Sequence, residues 1–462
     1  METKLRTENK MGTMSVGKLL ANMALPMVIS MLVQALYNVV DSVYVSRVSE
    51  NALTAVSMAF PIQNLMIGFS TGVGVGMNSL LSKCLGSREY DRGNLAAGNG
   101  LVLSGICCLL FMLFGAFGTG VFFQVQTDIP EILTGGVQYL RICTLFSFGI
   151  FGEIVFERLL QATGRTMFTM VTQGIGAILN IVLDPLFIFG GLGIPAMGVA
   201  GAAVATVVGQ IVAFCLAMVF HFWKNPEVSL TLPTMRLHGS VLKPILAVGV
   251  PSIIMVAIGS VMCFTMNQIL VGFTSTAVAV FGAYFKLQSF IFMPIFGLNN
   301  AMVSIVAYNY GARKPDRIRK TVVLSCVVAF LFMLCGFAVF QLMPETLLSM
   351  FAPTAEFLAI GCNALQTISW AFLVAGFCVI LSSVFQALGT GLYATIVSLA
   401  RQLAGLSLPA AYLLSLSGRL EMVWWSFPIA EIASVMVTSV LMLRIYRQKL
   451  RPLVEEQKAL GV

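Results

Sequence analysis

Two octapeptides 225 residues apart decide the reading of this chain: Leu85–Arg92, LGSREYDR, and Tyr310–Arg317, YGARKPDR. Overlaid, they pair Gly86 with Gly311, Arg88 with Arg313, Asp91 with Asp316 and Arg92 with Arg317. The same ungapped shift pairs Pro26 with Pro251, Gln63 with Gln288, Gly72 with Gly297 and Ser79 with Ser304, and it lays QATG (Gln161–Gly164) over QALG (Gln386–Gly389). Apolar segments resemble one another by chance; matched Pro, Gln, Gly and charged loop residues do not. The chain therefore reads as a tandem duplication.

Outward from the two loops, apolar segments run at approximately 18–47, 52–82, 95–123, 132–158, 165–190 and 195–223, and again at 244–272, 277–310, 320–345, 355–386, 391–416 and 421–446. A polar stretch, 225–243, separates the sets. Of the 462 residues 58% are hydrophobic and 10% charged, with a mean hydropathy of +0.92. A soluble domain carries about 25% charged residues, so this chain is at home only in lipid. At roughly 20 apolar residues per span there is room for about twelve. The expected fold is an all-α integral membrane protein of twelve transmembrane helices in two tandem six-helix lobes, 1–224 and 244–462, joined by a cytoplasmic linker at 225–243. The first apolar segment reads as a span rather than a cleaved leader.

Positive residues fall in alternate loops: Lys4, Arg6, Lys10 and Lys18 before span 1, Lys83, Arg88 and Arg92 after span 2, Lys224, Arg236 and Lys243 in the linker, and Arg313 to Lys320 after span 8. The opposite loops hold Arg47 and Arg419 but carry Asp128, Glu131, Glu345, Glu356 and Glu421. The positive-inside rule then places both termini in the cytoplasm, in a multi-pass inner or plasma membrane protein. The net charge of +8 reports orientation rather than nucleic-acid binding. Ten scattered cysteines without a CxxC pair indicate neither a zinc site nor a disulfide framework. With no GxxxxGK[ST] loop, no ATP site is expected. No enzymatic constellation of nucleophile and base is present, so catalysis is not expected. Six spans per repeat put both halves in one orientation, the parallel-repeat plan of several secondary transporters.

Ionisable groups within a bilayer are costly and are candidates for function. Asp41 and Asp184 both fall roughly 10 Å inside the external face, counting about 1.5 Å per residue. Asn180 lies one turn from Asp184 on the same helix face, with Thr206 and Tyr37 at similar depth. Paired carboxylates there could hold a sodium ion through oxygen ligands or share a proton. Asp184 could instead satisfy backbone groups freed by Pro185. Glu153, Glu157 and Arg141 on span 4 receive no assignment. In the second half, Met266, Gly405 and Pro409 stand where Asp41, Asn180 and Asp184 stand in the first, so the acidic cluster is absent. That half instead buries Lys286, Arg401 and Glu431, with Lys286 or Arg401 expected to pair with Glu431. Gly68, Gly72 and Gly76 read as close helix packing, and Pro26 and Pro185 as points of bending.

The stretches LPMVISMLVQALYNVVDSVYVSRV, LGSREYDRGN, QATGR, LNIVLDPLFIFG and GVAGAAVAT, in that order and together with the duplication, resemble bacterial members of the multidrug and toxic compound extrusion (MATE) family. The resemblance covers nearly the whole chain. It implies a secondary active antiporter that exports amphiphilic, often cationic compounds in exchange for protons or sodium by alternating access. No cofactor beyond the coupling ion is implied. It also implies cation coupling at Asp41 and Asp184 with Asn180 and Thr206, and a cavity reached by Gln34, Tyr37 and Tyr139. The sequence lacks the acidic residue that other branches carry in span 7. The alternative function is a flippase for lipid-linked saccharides on a related fold, which calls for a more basic central cavity.

Overall fold

A computed structural model describes residues 9–191, 193–351, 354–402 and 407–459, with the side chains of Ser46, Glu50 and Ser407 excepted. The repeat counterpart Gly405 and the basic residues Lys4 and Arg6 lie outside these residues. The first half forms α1 (Val16–Ser46), α2 (Glu50–Gly86), α3 (Tyr90–Phe117), α4 (Pro130–Leu145), α5 (Phe148–Ala162), α6 (Thr166–Phe189) and α7 (Val199–Lys224). The second forms α8 (Gly239–Val271), α9 (Ser275–Gly311), α10 (Pro315–Leu342), α11 (Ala355–Ser369), α12 (Phe372–Ala387), α13 (Gly391–Gln402), α14 (Ser407–Ser415) and α15 (Ser426–Ile445).

Among the described residues, nine helical stretches are long and apolar enough to cross a bilayer alone. Two expected spans are instead helix pairs, α4 with α5 bent by 43° and α11 with α12 bent by 52°. The breaks fall at matching positions of the repeat. A break frees backbone carbonyls that lipid cannot satisfy, so protein groups must. At the second break the Gln366 carbonyl accepts a hydrogen bond from Gln341 Nε2 at 2.7 Å, and the Ser369 hydroxyl accepts another from the same amide at 3.0 Å. The eleventh expected span holds α13 and α14, on either side of residues 403–406, which lie outside those described. Together these elements give the twelve-span, all-helical plan. Rows of exposed apolar side chains such as Leu109, Leu110, Leu113 and Phe117 on α3 present a lipid-compatible surface.

The duplication is written into the backbone. Arg88 (φ +61°) and Arg313 (φ +54°) are the only non-glycine residues with positive φ among those described, and they are repeat counterparts. Gly164 (φ +80°) matches Gly389 (φ +74°), and Gly193 (φ +86°) matches Gly418 (φ +72°). In the first of these loops, outside the bilayer, the Ser87 hydroxyl donates to Glu89 Oε1 at 2.9 Å and Arg92 Nη1 to Oε2 at 3.1 Å. These bonds hold the Glu89 carboxyl below its ordinary range.

The chain folds as two compact units, Ile29–Ile253 and Met1–Val28 with Ile254–Val462. Their boundaries within α1 and α8 are themselves repeat counterparts. In the first unit, a Cβ on Gly76 would lie 2.2 Å from the Ile245 carbonyl oxygen, and one on Gly72 2.5 Å from Ile253 Cγ1. In the other unit, a Cβ on Gly297 would lie 2.6 Å from Val28 N. The start of α8 thus packs on α2, and the start of α1 on α9. Only glycine permits such backbone approach.

The segments leading into those helices are tied down in the same units. Asn99 on α3 donates to the Thr234 and Arg236 carbonyls (3.2 and 2.9 Å) and accepts from the His238 N–H (2.8 Å). Arg317 Nη2 donates to the Met11 and Met14 carbonyls (2.9 and 2.6 Å), Lys314 Nζ to the Gly12 carbonyl (3.0 Å), and Asn309 Nδ2 to the Met11 carbonyl (3.1 Å).

Candidate functional site

Within the unit Ile29–Ile253, the candidate cation site is assembled from α1, α6 and α7. Asp184 is fully buried, Asn180 is 3% exposed and Thr206 is 8% exposed. The spacing of four along α6 stacks Asn180 beneath Asp184. Asn180 satisfies both neighbours with its amide nitrogen donating to Asp184 Oδ2 (3.2 Å) and its oxygen accepting from the Thr206 hydroxyl and backbone N–H (3.3 and 3.1 Å). In the opposite orientation the nitrogen would lie 3.4 Å from Asp184 Oδ1 and 3.3 Å from Thr206 Oγ1. The first orientation meets every donor and acceptor and is the better assignment. The carboxyl groups of Asp41 and Asp184 lie close enough to interact. Asp41 Oδ1 is buried with no partner among the described residues. Two carboxyl groups at this range must share a proton or hold a cation, because bare charges would repel. The carboxylate oxygens of Asp41 and Asp184 are hard donors of the kind that hold a proton or a small cation, while the Asn180 oxygen is taken up by Thr206.

Beside this cluster lies a pocket. Gln34, Tyr37, Asn180 and Thr206 line it, as do Ser30, Glu153, Gln173 and Gln210. Apolar walls come from Ile67, Ile150 and Ile154. Tyr37 stands within electrostatic reach of Asp41, Asp184 and Glu153. Neither Asp41 nor Asp184 is among the lining residues, whereas their neighbours Asn180 and Thr206 are.

A family model for MatE matches residues 26–186 and 251–413, well over half of the chain. The chain belongs to the MatE family. It is therefore a multi-pass membrane transporter and not an enzyme. The two matched segments are the two halves of the duplication. The multidrug export protein MepA of Staphylococcus haemolyticus is 24% identical over 419 residues, covering 90% of this chain and 91% of its own. The probable multidrug resistance protein YoeA of Bacillus subtilis is 24% identical over 429 residues, covering 92% of each. Among solved structures, a MATE crystallised in complex with MaL6 superimposes with a TM-score of 0.90 at 26% identity, covering 96% of this chain and 99% of that one. A MOP superfamily transporter from Pyrococcus furiosus, described as having a binding pocket of reverse polarity that suggests a different function, gives 0.89 at 26% identity over the same shares.

In this MatE chain, Tyr139 is buried in the apolar cluster around Phe123, Leu140 and Ile188. Its hydroxyl accepts from Gln63 Nε2 at 3.2 Å, and it is not among the cavity-lining residues given above. Gln63 and its repeat counterpart Gln288 entered the sequence reading only as markers of duplication. The pairing with Tyr139 was not legible, because it joins α2 to α4 across 76 residues. In the second unit, Arg401 Nε lies 3.5 Å from Glu431 Oε1. The Lys286 side chain is exposed rather than buried as the sequence suggested, and no ion pair involves it among the described residues. Residue 286 sits mid-helix on an apolar segment, and position along the chain does not reveal which face it occupies. Pro26 and Pro185 lie within α1 and α6, each of which continues through its proline. Glu157 is 2% exposed and accepts from the Thr172 hydroxyl (2.7 Å) and Gln173 Nε2 (2.8 Å). Arg158 Nη1 donates to Gln161 Oε1 at 3.0 Å.

Proposed function

We propose that the protein is a secondary active antiporter that exports amphiphilic, often cationic small molecules by alternating access between two lobes, 1–224 and 244–462. Inward movement of protons or sodium drives it. The carrying observation is the buried Asp41–Asp184 pair, backed by Asn180 and Thr206 and adjoining a cavity lined by Gln34 and Tyr37. A proton or sodium ion taken up there neutralises the pair and rearranges α1, α6 and α7. That shrinks the cavity and weakens its hold on a cation. Coupling of this kind is reciprocal: the ion weakens substrate binding by the factor with which substrate weakens the ion's. Pro26 precedes by two residues the point where α1 passes from one compact unit to the other, which suits a bending point there. Pro185, adjacent to Asp184, suits the same role in α6.

The names of MepA and YoeA support drug export over saccharide flipping. So does the described cavity lining, which holds Glu153 and neither Lys nor Arg. Both termini and the linker are assigned to the cytoplasm; a cysteine placed at Pro233 should label only from that side, and labelling from outside would reverse the orientation. The functional test is dye efflux from proteoliposomes with proton and sodium gradients imposed separately. At least one gradient should accelerate efflux severalfold. Efflux indifferent to both contradicts antiport.

A further inference from the structure

Glu157 belongs neither to the Asp41–Asp184 pair nor to the lining of the pocket beside it, and it is 2% exposed within α5. Both of its carboxyl oxygens are engaged: Oε1 by the Thr172 hydroxyl at 2.7 Å and Oε2 by Gln173 Nε2 at 2.8 Å. A buried carboxylate normally stands against a cation. Arg158, the next residue, is within electrostatic reach, but among the described residues no ion pair joins the two. The other acid at hand, Glu153, lies one turn away on the same face of α5 and opposes a second negative charge there. The elements packed on α5 bring no further charge to Glu157. From α6 come the uncharged Thr172 and Gln173, from α7 the His221 ring against Phe156, from α3 Ser104 toward the Phe151 carbonyl, and from α2 Gly74 beside the Arg158 stem.

The hydrogen bonds around Glu157 fit two protonation states. The Thr172 hydroxyl has one proton and two acceptors in range, Glu157 Oε1 at 2.7 Å and the Thr169 carbonyl at 2.9 Å. With Glu157 ionised, the hydroxyl donates to the carboxylate. With Glu157 protonated on Oε1, the acid donates to Thr172 Oγ1 and the hydroxyl proton turns to the Thr169 carbonyl. Oε2 accepts from Gln173 in both states. The exchange needs only the rotation of one hydroxyl, and neither state leaves a carboxyl oxygen or the Thr172 proton without a partner. The neighbourhood is also rich in acceptors: Gln173 Oε1 is buried with no donor.

We infer that Glu157 is a second proton-binding site of the first unit, separate from the Asp41–Asp184 pair, and that the Thr172 hydroxyl is the switch that accommodates it charged or neutral. The proton comes from water and returns to water; one O–H bond forms on Oε1 and no bond between heavy atoms changes. The inference rests on the antiport reading only for its meaning in transport. There it gives the first unit two places to carry a proton. Glu157 lies five residues before the end of α5 at Ala162, on the side that the proposed orientation assigns to the cytoplasm. Thr172 acts as a positioning residue. Glu157→Gln imitates the neutral state, its amide nitrogen donating to Thr172 Oγ1 and its oxygen accepting from Gln173, so this variant keeps the local packing.

The test is pH-difference infrared spectroscopy of the purified full-length protein, read at the carbonyl stretch of protonated carboxyl groups. No gradient, dye or sodium enters it, so its outcome is distinct from that of the efflux experiment. As pH falls, wild-type protein should gain such bands. The double variant Asp41→Asn, Asp184→Asn should keep at least one of them, and Glu157→Gln should lose one that the double variant keeps. Thr172→Val removes the group to which the protonated acid donates, so it should move that same band to higher wavenumber and leave the bands of the aspartate pair in place. Loss of every titrating carboxyl band in the folded double variant would overturn the second site, as would Glu157→Gln spectra identical to wild type throughout the titration. A band lost in Glu157→Gln but unmoved by Thr172→Val would overturn the switch. The comparison of Glu157→Gln with wild type decides the matter even where the double variant fails to fold.

Discussion

Asp184 is wholly buried while its neighbours on α6 at Ile178 and Val182 face outward. A carboxyl group at such a buried position on an apolar helix is costly to keep there. Asp41, Asn180 and Thr206 were legible from charge at matching depth and from the spacing of four. Their convergence follows from helix geometry once the three helices pack. Tyr139 and Lys286 were not legible in the same way, because the facing of a side chain on a helix that is apolar all round leaves no periodic signal. Glu153 could be seen as a charge but not as a cavity residue; only the packing of α5 against α6 and α7 decides that. Backbone conformation offers a separate residue-scale prediction. Gly389 has φ +74° and open space where a Cβ would go. Gly389→Ala should therefore cost about 1 kcal/mol through backbone strain alone, seen as a lowered thermal midpoint in detergent with transport retained. An unchanged midpoint would show that this turn relaxes freely.

At the scale of elements, the loops LGSREYDR and YGARKPDR revealed the duplication, and the matching Arg88 and Arg313 conformations carry it into three dimensions. The sequence did not reveal that α1 begins in one compact unit and ends in the other, with α8 doing the reverse. Repeats that resemble each other pack equally well on either half as far as pattern can tell, so the exchange is invisible to pairwise matching. The glycine contacts made by Gly72, Gly76 and Gly297 are where it becomes physical. Arg317 anchors the segment that enters α1 through two carbonyls, with Lys314 and Asn309 beside it. Arg317→Ala should release that segment, at a local cost of about 1–3 kcal/mol for hydrogen bonds to a charged group. Limited trypsinolysis at Lys10 should then run several times faster than in the wild-type protein. An unchanged cleavage rate would mean the remaining contacts suffice.

For the whole molecule, composition and the alternation of positive loops were enough to establish a twelve-span membrane protein, and the family match states its class. The bent pairs α4–α5 and α11–α12 escaped sequence reading because an apolar run hides a break when neighbouring side chains satisfy the freed carbonyls. The halves are alike in backbone but unlike in charge: Asp41 and Asp184 face Met266 and Pro409 in the repeat. The central claim is that ion coupling resides in the first half alone, at the Asp41–Asp184 pair. The direct measurement is gradient-driven dye efflux from proteoliposomes carrying wild-type protein, Asp41→Asn, Asp184→Asn or Met266→Leu. The account predicts that both aspartate variants lose acceleration by the gradient yet still bind dye, while Met266→Leu keeps its ion dependence. Full gradient-driven efflux by both aspartate variants would contradict it.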